Sequence, residues 1–157
     1  MRQFAQGTSV SVEKTKGEIE ALVSKAGADA FASASKLGQA MIQFKLKERV
    51  IRFGLPLPDR NAKQFSHCGR YMTQLRAPEA AYKAWEQACR EKWRALFLSI
   101  KAKLYSIETG IEQFDSAFMA QIVMPNGKTM EELCVPMIGQ AYESGQMPDM
   151  NVLALTY

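Results

Sequence analysis

At 157 residues, 47% apolar and 23% charged, the chain can bury a hydrophobic core and has the balance of an ordinary globular domain, which excludes a fibrous or disordered class. Its longest apolar stretches, Met41–Phe44, Val50–Leu57 and Ala95–Ile100, are broken by charge, Gly or Pro and fall far short of the ~20 residues of a membrane span. The formal charge of +4 hides an asymmetry, with fifteen Lys/Arg against five Asp/Glu from Lys36 to Lys103, and one cation, Lys128, against seven acids from Leu104 to Tyr157. A basic body joined to an acidic end points to a polyanionic partner or to self-association.

In chain order, residues 1–8 read as a loose start without the apolar core of a secretion signal. Val12, Ile19, Leu22, Val23 and Ala26 recur at helical spacing, so a first helix is expected from Val12 to Lys25, capped by Ser9 or Ser11 and closed by Gly27. Residues 29–35 read as a strand. Two stronger strands follow: Ala40, Ile42, Phe44 and Leu46 alternate in one, and Ile51, Phe53, Leu55 and Leu57 in the next. With Lys47-Glu48 as a two-residue turn, Phe44 faces Ile51, Ile42 faces Phe53 and Ala40 faces Leu55, whereas a one-residue slip destroys the match. The turn lacks the Asn-Gly chemistry that hairpins favour.

Pro56 and Pro58 end the sheet, and residues 59–78 read as a long basic loop with room for a short helix. Pro78 marks the start of a long helix to Thr109, with Gly110 as its stop and Trp85, Cys89, Trp93, Leu96, Ile100, Leu104 and Ile107 as its core face. A helix from Phe114 to Val123, a turn at Pro125-Asn126-Gly127, and a last helix opened by a Thr129/Glu132 capping box complete the pattern. Pro136 should kink that helix or shift its start, and Gly145 and Pro148 end it. The expected architecture is α+β: an N-terminal helix, a three-stranded antiparallel β-meander, a long packing helix and a C-terminal helical segment. It forms a single domain over 1–157, with its ordered core at 11–148 and a tail at 149–157.

Lys83, Arg90, Arg94 and Lys101 fall within ~20° of one line on the long helix, a cationic stripe about 27 Å long at 1.5 Å per residue. The expectation is that they contact the phosphates of a nucleic acid, helped by Lys45 and Arg52 on the hairpin, because a row of cations releases the counterions condensed on such a chain. Arg49, Arg60, Lys63, Arg70 and Arg76 extend the footprint, and Phe65, Tyr71 and Tyr82 are the candidates to stack bases. The competing reading is a solvated face with local ion pairs, since Glu79–Lys83 and Glu86–Arg90 stand four residues apart in the favourable orientation.

Motifs for catalysis, metal or cofactor are poor. His67 is the single histidine, and Cys68, Cys89 and Cys134 lack the spacing of a zinc site or disulfide framework, which suits a reducing compartment. Asp29 followed by Gln43-Phe44-Lys45 resembles nucleases that set an acid and a Glu/Gln-x-Lys on adjacent strands around a divalent metal, but the second acid is missing. No catalytic, metal-binding or cofactor-binding residue is therefore named.

Ser11-Val12-Glu13-Lys14-Thr15 with Glu18-Ile19-Glu20, and Val50-Ile51-Arg52-Phe53-Gly54-Leu55-Pro56-Leu57-Pro58-Asp59, carry a resemblance. So do Trp93-Arg94-Ala95-Leu96 with Ile100-Lys101-Ala102-Lys103-Leu104, and Phe118-Met119-Ala120-Gln121-Ile122-Val123-Met124-Pro125-Asn126-Gly127-Lys128-Thr129. Together these blocks resemble a family of small, functionally uncharacterised proteins of bacteriophage genomes and viral metagenomes. The likeness covers residues 11–148 and is weakest over residues 60–78. It implies a phage origin and an intracellular setting, the cytoplasm of an infected bacterium, and it supplies no catalytic residue. A meander followed by a long helix is also similar in outline to phage single-strand annealing proteins, a fold-level analogy. The function expected is a phage accessory protein that binds nucleic acid without base specificity, single-stranded DNA first, in replication or recombination. The alternatives are a phage protein-interaction or self-assembling module without nucleic-acid binding, with a homo-oligomer as a further partner expectation, and a metal-dependent nuclease.

Overall fold

The structure, a computed structural model, describes residues 5–147. The expected tail at 149–157 and the stop at Pro148 lie outside these residues. Helix α1 (Val12–Lys25) begins where the Ser11 hydroxyl accepts from the Lys14 amide at 3.2 Å. It buries Thr15, Ile19 and Val23 on one face.

Strands β1 (Ala30–Lys36), β2 (Gln39–Leu46) and β3 (Arg49–Pro56) form an antiparallel meander in the order β1-β2-β3. The register pairs Phe44 with Ile51, Ile42 with Phe53 and Ala40 with Leu55, as the alternation demands. Lys47 and Glu48 make the turn with φ of 48° and 61°, positive at both central positions, as a type I′ hairpin turn requires. The backbone twist of two paired strands outweighs the local cost of placing two side-chain-bearing residues in the left-handed region.

One face of this sheet carries Ala40, Ile42, Phe44, Leu46, Ile51, Phe53 and Leu55, all buried. It is covered by α1 and by α3 (Pro78–Glu108), which contributes Cys89, Trp93, Leu96, Phe97 and Ile100. Phe44, Phe53 and Phe118 form an aromatic triangle with centroids 6.1–6.4 Å apart, two of its three pairs edge-to-face. Pro78 occupies the first turn of α3, and Gly110 follows its end with φ of 74°.

Two expected elements differ. The loop at 59–78 is built: α2 (Lys63–Ser66) is followed by a two-residue hairpin of β4 (His67–Cys68) and β5 (Gln74–Leu75). The helix expected from Phe114 to Val123 ends early. Helix α4 (Phe114–Phe118) passes into a 3-10 turn, Met119–Gln121, and the chain then extends so that Ile122 bridges Ile51 and the Val123 amide donates to the Val50 carbonyl at 2.8 Å. The free edge of β3 has unpaired carbonyls and amides, and satisfying them outweighs one more helical turn.

Helix α5 (Met130–Ser144) opens with the expected capping box: the Glu132 amide donates to the Thr129 hydroxyl at 3.2 Å, and the Thr129 amide to the Glu132 carboxylate at 2.7 Å. It starts directly at this box, so Pro136 does not shift its start. No residue of α5 is fully buried. Among the described residues no helix is long and apolar enough to cross a membrane.

Candidate nucleic-acid interface

The six cations named from sequence do not gather on one surface. Lys45 and Arg52 alternate with the buried residues of β2 and β3, so they lie on the outer face of the sheet, away from α3. Lys45 Nζ stands 3.4 Å from Asp29 and 3.6 Å from Glu48, and the attraction of Asp29 first, then Glu48, raises its pKa. Arg52 donates to Gln43 Oε1 at 3.1 Å and to the Gly127 carbonyl at 2.9 Å, which ties β3 to the turn before α5. Arg49 stands 3.4 Å from Asp115.

On α3, the line of cations is interrupted. Arg94 pairs with Glu18 of α1 and lies over the Phe97 ring, 4.2 Å from its centroid. Arg90 donates to Gln87 Oε1 at 2.7 and 3.0 Å and stands 3.4 Å from Glu86. Neighbouring Gln87 and Glu91 take up the Thr8 carbonyl and the Gly7 amide. The middle of the stripe is thus the seam where α1 and the N-terminal segment lie on α3. That corrects the expectation of a continuous solvent-facing ridge. Only its ends stay open: Lys83, 2.7 Å from the exposed Glu79, and Lys101, with no carboxylate partner among the described residues.

The surroundings differ at the N-terminal end of α3. Phe65 of α2 is 5% exposed and acts as the anchor of the segment 59–77, which removes it as a base-stacking candidate. Trp85, expected in the core, is half-buried, and its Nε1 donates to the Pro58 carbonyl at 2.9 Å. Arg60 sits over Tyr82 at 4.8 Å and Trp85 at 5.9 Å, so its charge is held on an aromatic shelf rather than by a carboxylate. The Arg76 amide donates to the Ser66 carbonyl at 2.8 Å, closing the β4–β5 hairpin onto α2. The turn from Gly69 to Thr73 projects Arg70 and Tyr71, with Tyr71 77% exposed.

From Arg60 to Arg76 there are four cations and no acidic residue. None of Arg60, Lys63, Arg70 and Arg76 forms an ion pair among the described residues. The positions at which the chain turns here, Gly69 with φ of 85° and Met72 with φ of 53°, are a weak signal, and the hairpin was not legible from them.

The other chemistry reduces to local contacts. Asp29 is held by Lys45, and among the described residues no group of three or more His, Cys, Asp or Glu converges as a metal site would need. His67 Nδ1 lies 2.8 Å from the Ser66 hydroxyl. The three cysteines are free, and burial, aided by Glu86, pushes the Cys89 thiol up from its ordinary value. No family profile, curated protein or solved structure matches the chain.

Proposed function

We propose that this protein binds single-stranded nucleic acid without base specificity, as an accessory factor of phage replication or recombination. One observation carries the reading: the segment from Arg60 to Arg76 holds four cations without an acid, Arg60, Lys63 and Arg70 exposed and Arg76 half-buried, beside an exposed aromatic ring at the hairpin turn. Unpaired cations release phosphate counterions at little cost, because no internal salt bridge must first be broken. Tyr71 supplies a face on which any base can stack, which gives affinity without sequence reading, whereas the Tyr82 ring is already covered by Arg60. Lys83, next to Tyr82 and held only by a surface ion pair, extends the phosphate track.

The test is fluorescence anisotropy with a labelled single-stranded oligonucleotide and its duplex across a salt series. The expected result is tighter binding of the single strand, with log affinity falling against log salt at a slope of about −3 for four phosphate contacts. Arg70→Ala and Arg76→Ala together should flatten that slope by about half. Binding that is absent at low salt, or a slope indifferent to both substitutions in a folded protein, overturns the proposal.

A further inference from the structure

Helix α5 carries two apolar faces. Leu133, Cys134, Met137 and Ala141 are half-buried toward the body, whereas Val135, Ile138 and Tyr142, at i, i+3 and i+7, line a second stripe and are 56%, 53% and 87% exposed. Fifteen residues that bury nothing fully are a poor reason to keep a helix packed on one chain alone. The helix has Glu131 and Glu132 at its start and Glu143 near its end, and no Lys or Arg.

Those charges decide what covers the stripe. Two α5 helices pairing antiparallel would set Glu131 and Glu132 of each against Glu143 of the other; Arg52 and Lys128 offset Glu132 at the start of the helix, but α5 itself has no cation beside Glu143. The occupant must be cationic and apolar together. Among the described residues the acid-free segment from Arg60 to Arg76 is such a surface, with Leu75 and Tyr71 79% and 77% exposed among the four cations. Helix α5 cannot meet that segment as it sits in its own chain. Its first turn borders Met41, Arg52 and Gly54 on the outer side of the sheet, whereas the segment is anchored to α3 on the inner side.

We infer that α5 of one chain docks on the β4–β5 hairpin segment of a second copy. Val135, Ile138 and Tyr142 cover Leu75 and Tyr71, and Glu131 and Glu143 face Arg70 and its neighbours. The two surfaces differ, so the contact is head-to-tail and builds a ring or a filament according to the rotation between copies. It uses the segment proposed above for nucleic acid, so a bound strand and α5 of a neighbour compete for it, and it is measured with no nucleic acid present.

Sedimentation velocity on the full chain at low and high salt, with two exposed-site variants, tests it. The wild type should form species larger than a monomer at low salt that dissociate as salt is raised. Ile138→Lys, which keeps the hairpin surface, and Leu75→Glu, which keeps α5, should each be monomeric alone. Their equimolar mixture should give a capped pair of twice the monomer mass, because one intact surface of each kind remains. Should Ile138→Lys melt α5 by circular dichroism, Glu143→Lys tests the same contact from its polar rim. A monomeric wild type at low salt, self-association of Leu75→Glu alone, or a mixture that stays monomeric overturns the inference.

Discussion

Arg90 and Arg94, in the middle of α3, and Arg60 and Arg70, at its N-terminal end, carry the same guanidinium in opposite surroundings. Arg94 is 24% exposed at its side chain and reaches Glu18 of another helix, and Arg90 is 25% exposed against Glu86. Arg60 rests on two aromatic rings and Arg70 projects from a turn, with no carboxylate in their segment. Arg94 fastens α1 to α3 and Arg90 is held within α3, whereas Arg60 and Arg70 have no carboxylate partner among the described residues. A count of cations therefore says little about binding until each is asked what already satisfies it.

The sharpest way to break this contrast is charge reversal in the segment. Arg70→Glu with Arg76→Glu should lower single-strand affinity by about two orders of magnitude at low salt, read by anisotropy, while the denaturation midpoint stays close to wild type. Arg94→Ala should do the opposite. It strands a half-buried Glu18 and removes the contact with Phe97, costing about 2 kcal/mol in urea unfolding, with affinity changed less than about twofold. If Arg94→Ala abolishes binding without loss of stability, the seam on α3 is part of the interface and the contrast fails.

Smaller effects sharpen it. Tyr71→Ala should cost about 1–2 kcal/mol of single-strand affinity and leave the salt slope unchanged, because stacking releases no counterions. Glu48→Gly should raise stability by about 0.5 kcal/mol, since glycine relieves the left-handed turn but gains unfolded-state freedom. At the acidic end, the Thr129 amide hydrogen bond holds the Glu132 carboxyl below its ordinary value of 4.5. Its contribution to α5 is complete above that ordinary value and is lost as pH falls through the lower folded one. Far-UV circular dichroism should show α5 fraying over that acid range, and Glu132→Gln should remove the pH dependence.

The hairpin was readable because its signal is local and redundant. Period-two alternation in β2 and β3 admits one register, and the meander, both long helices and the Thr129/Glu132 box follow from equally short-range patterns. The short β4–β5 hairpin and the strand-like Ile122–Val123 were not readable. Two-residue pairings have no period, and Ile122–Val123 extends because β3 presents an open edge, a fact absent from its own neighbours in sequence. Phe65 has the residue type of a stacking ring and is an anchor in the fold, because residue type does not report which side of a turn faces α3.

The order and type of the main elements, the face each strand buries and the separation of a basic body from an acidic end belong to the sequence alone. They arise from periodicity and composition, which act over a few residues at a time. Which cations stay free was decided only when the chain closed. The partner of Arg94 is 76 residues away, and an ion pair forms or fails according to what packing brings within about 4 Å.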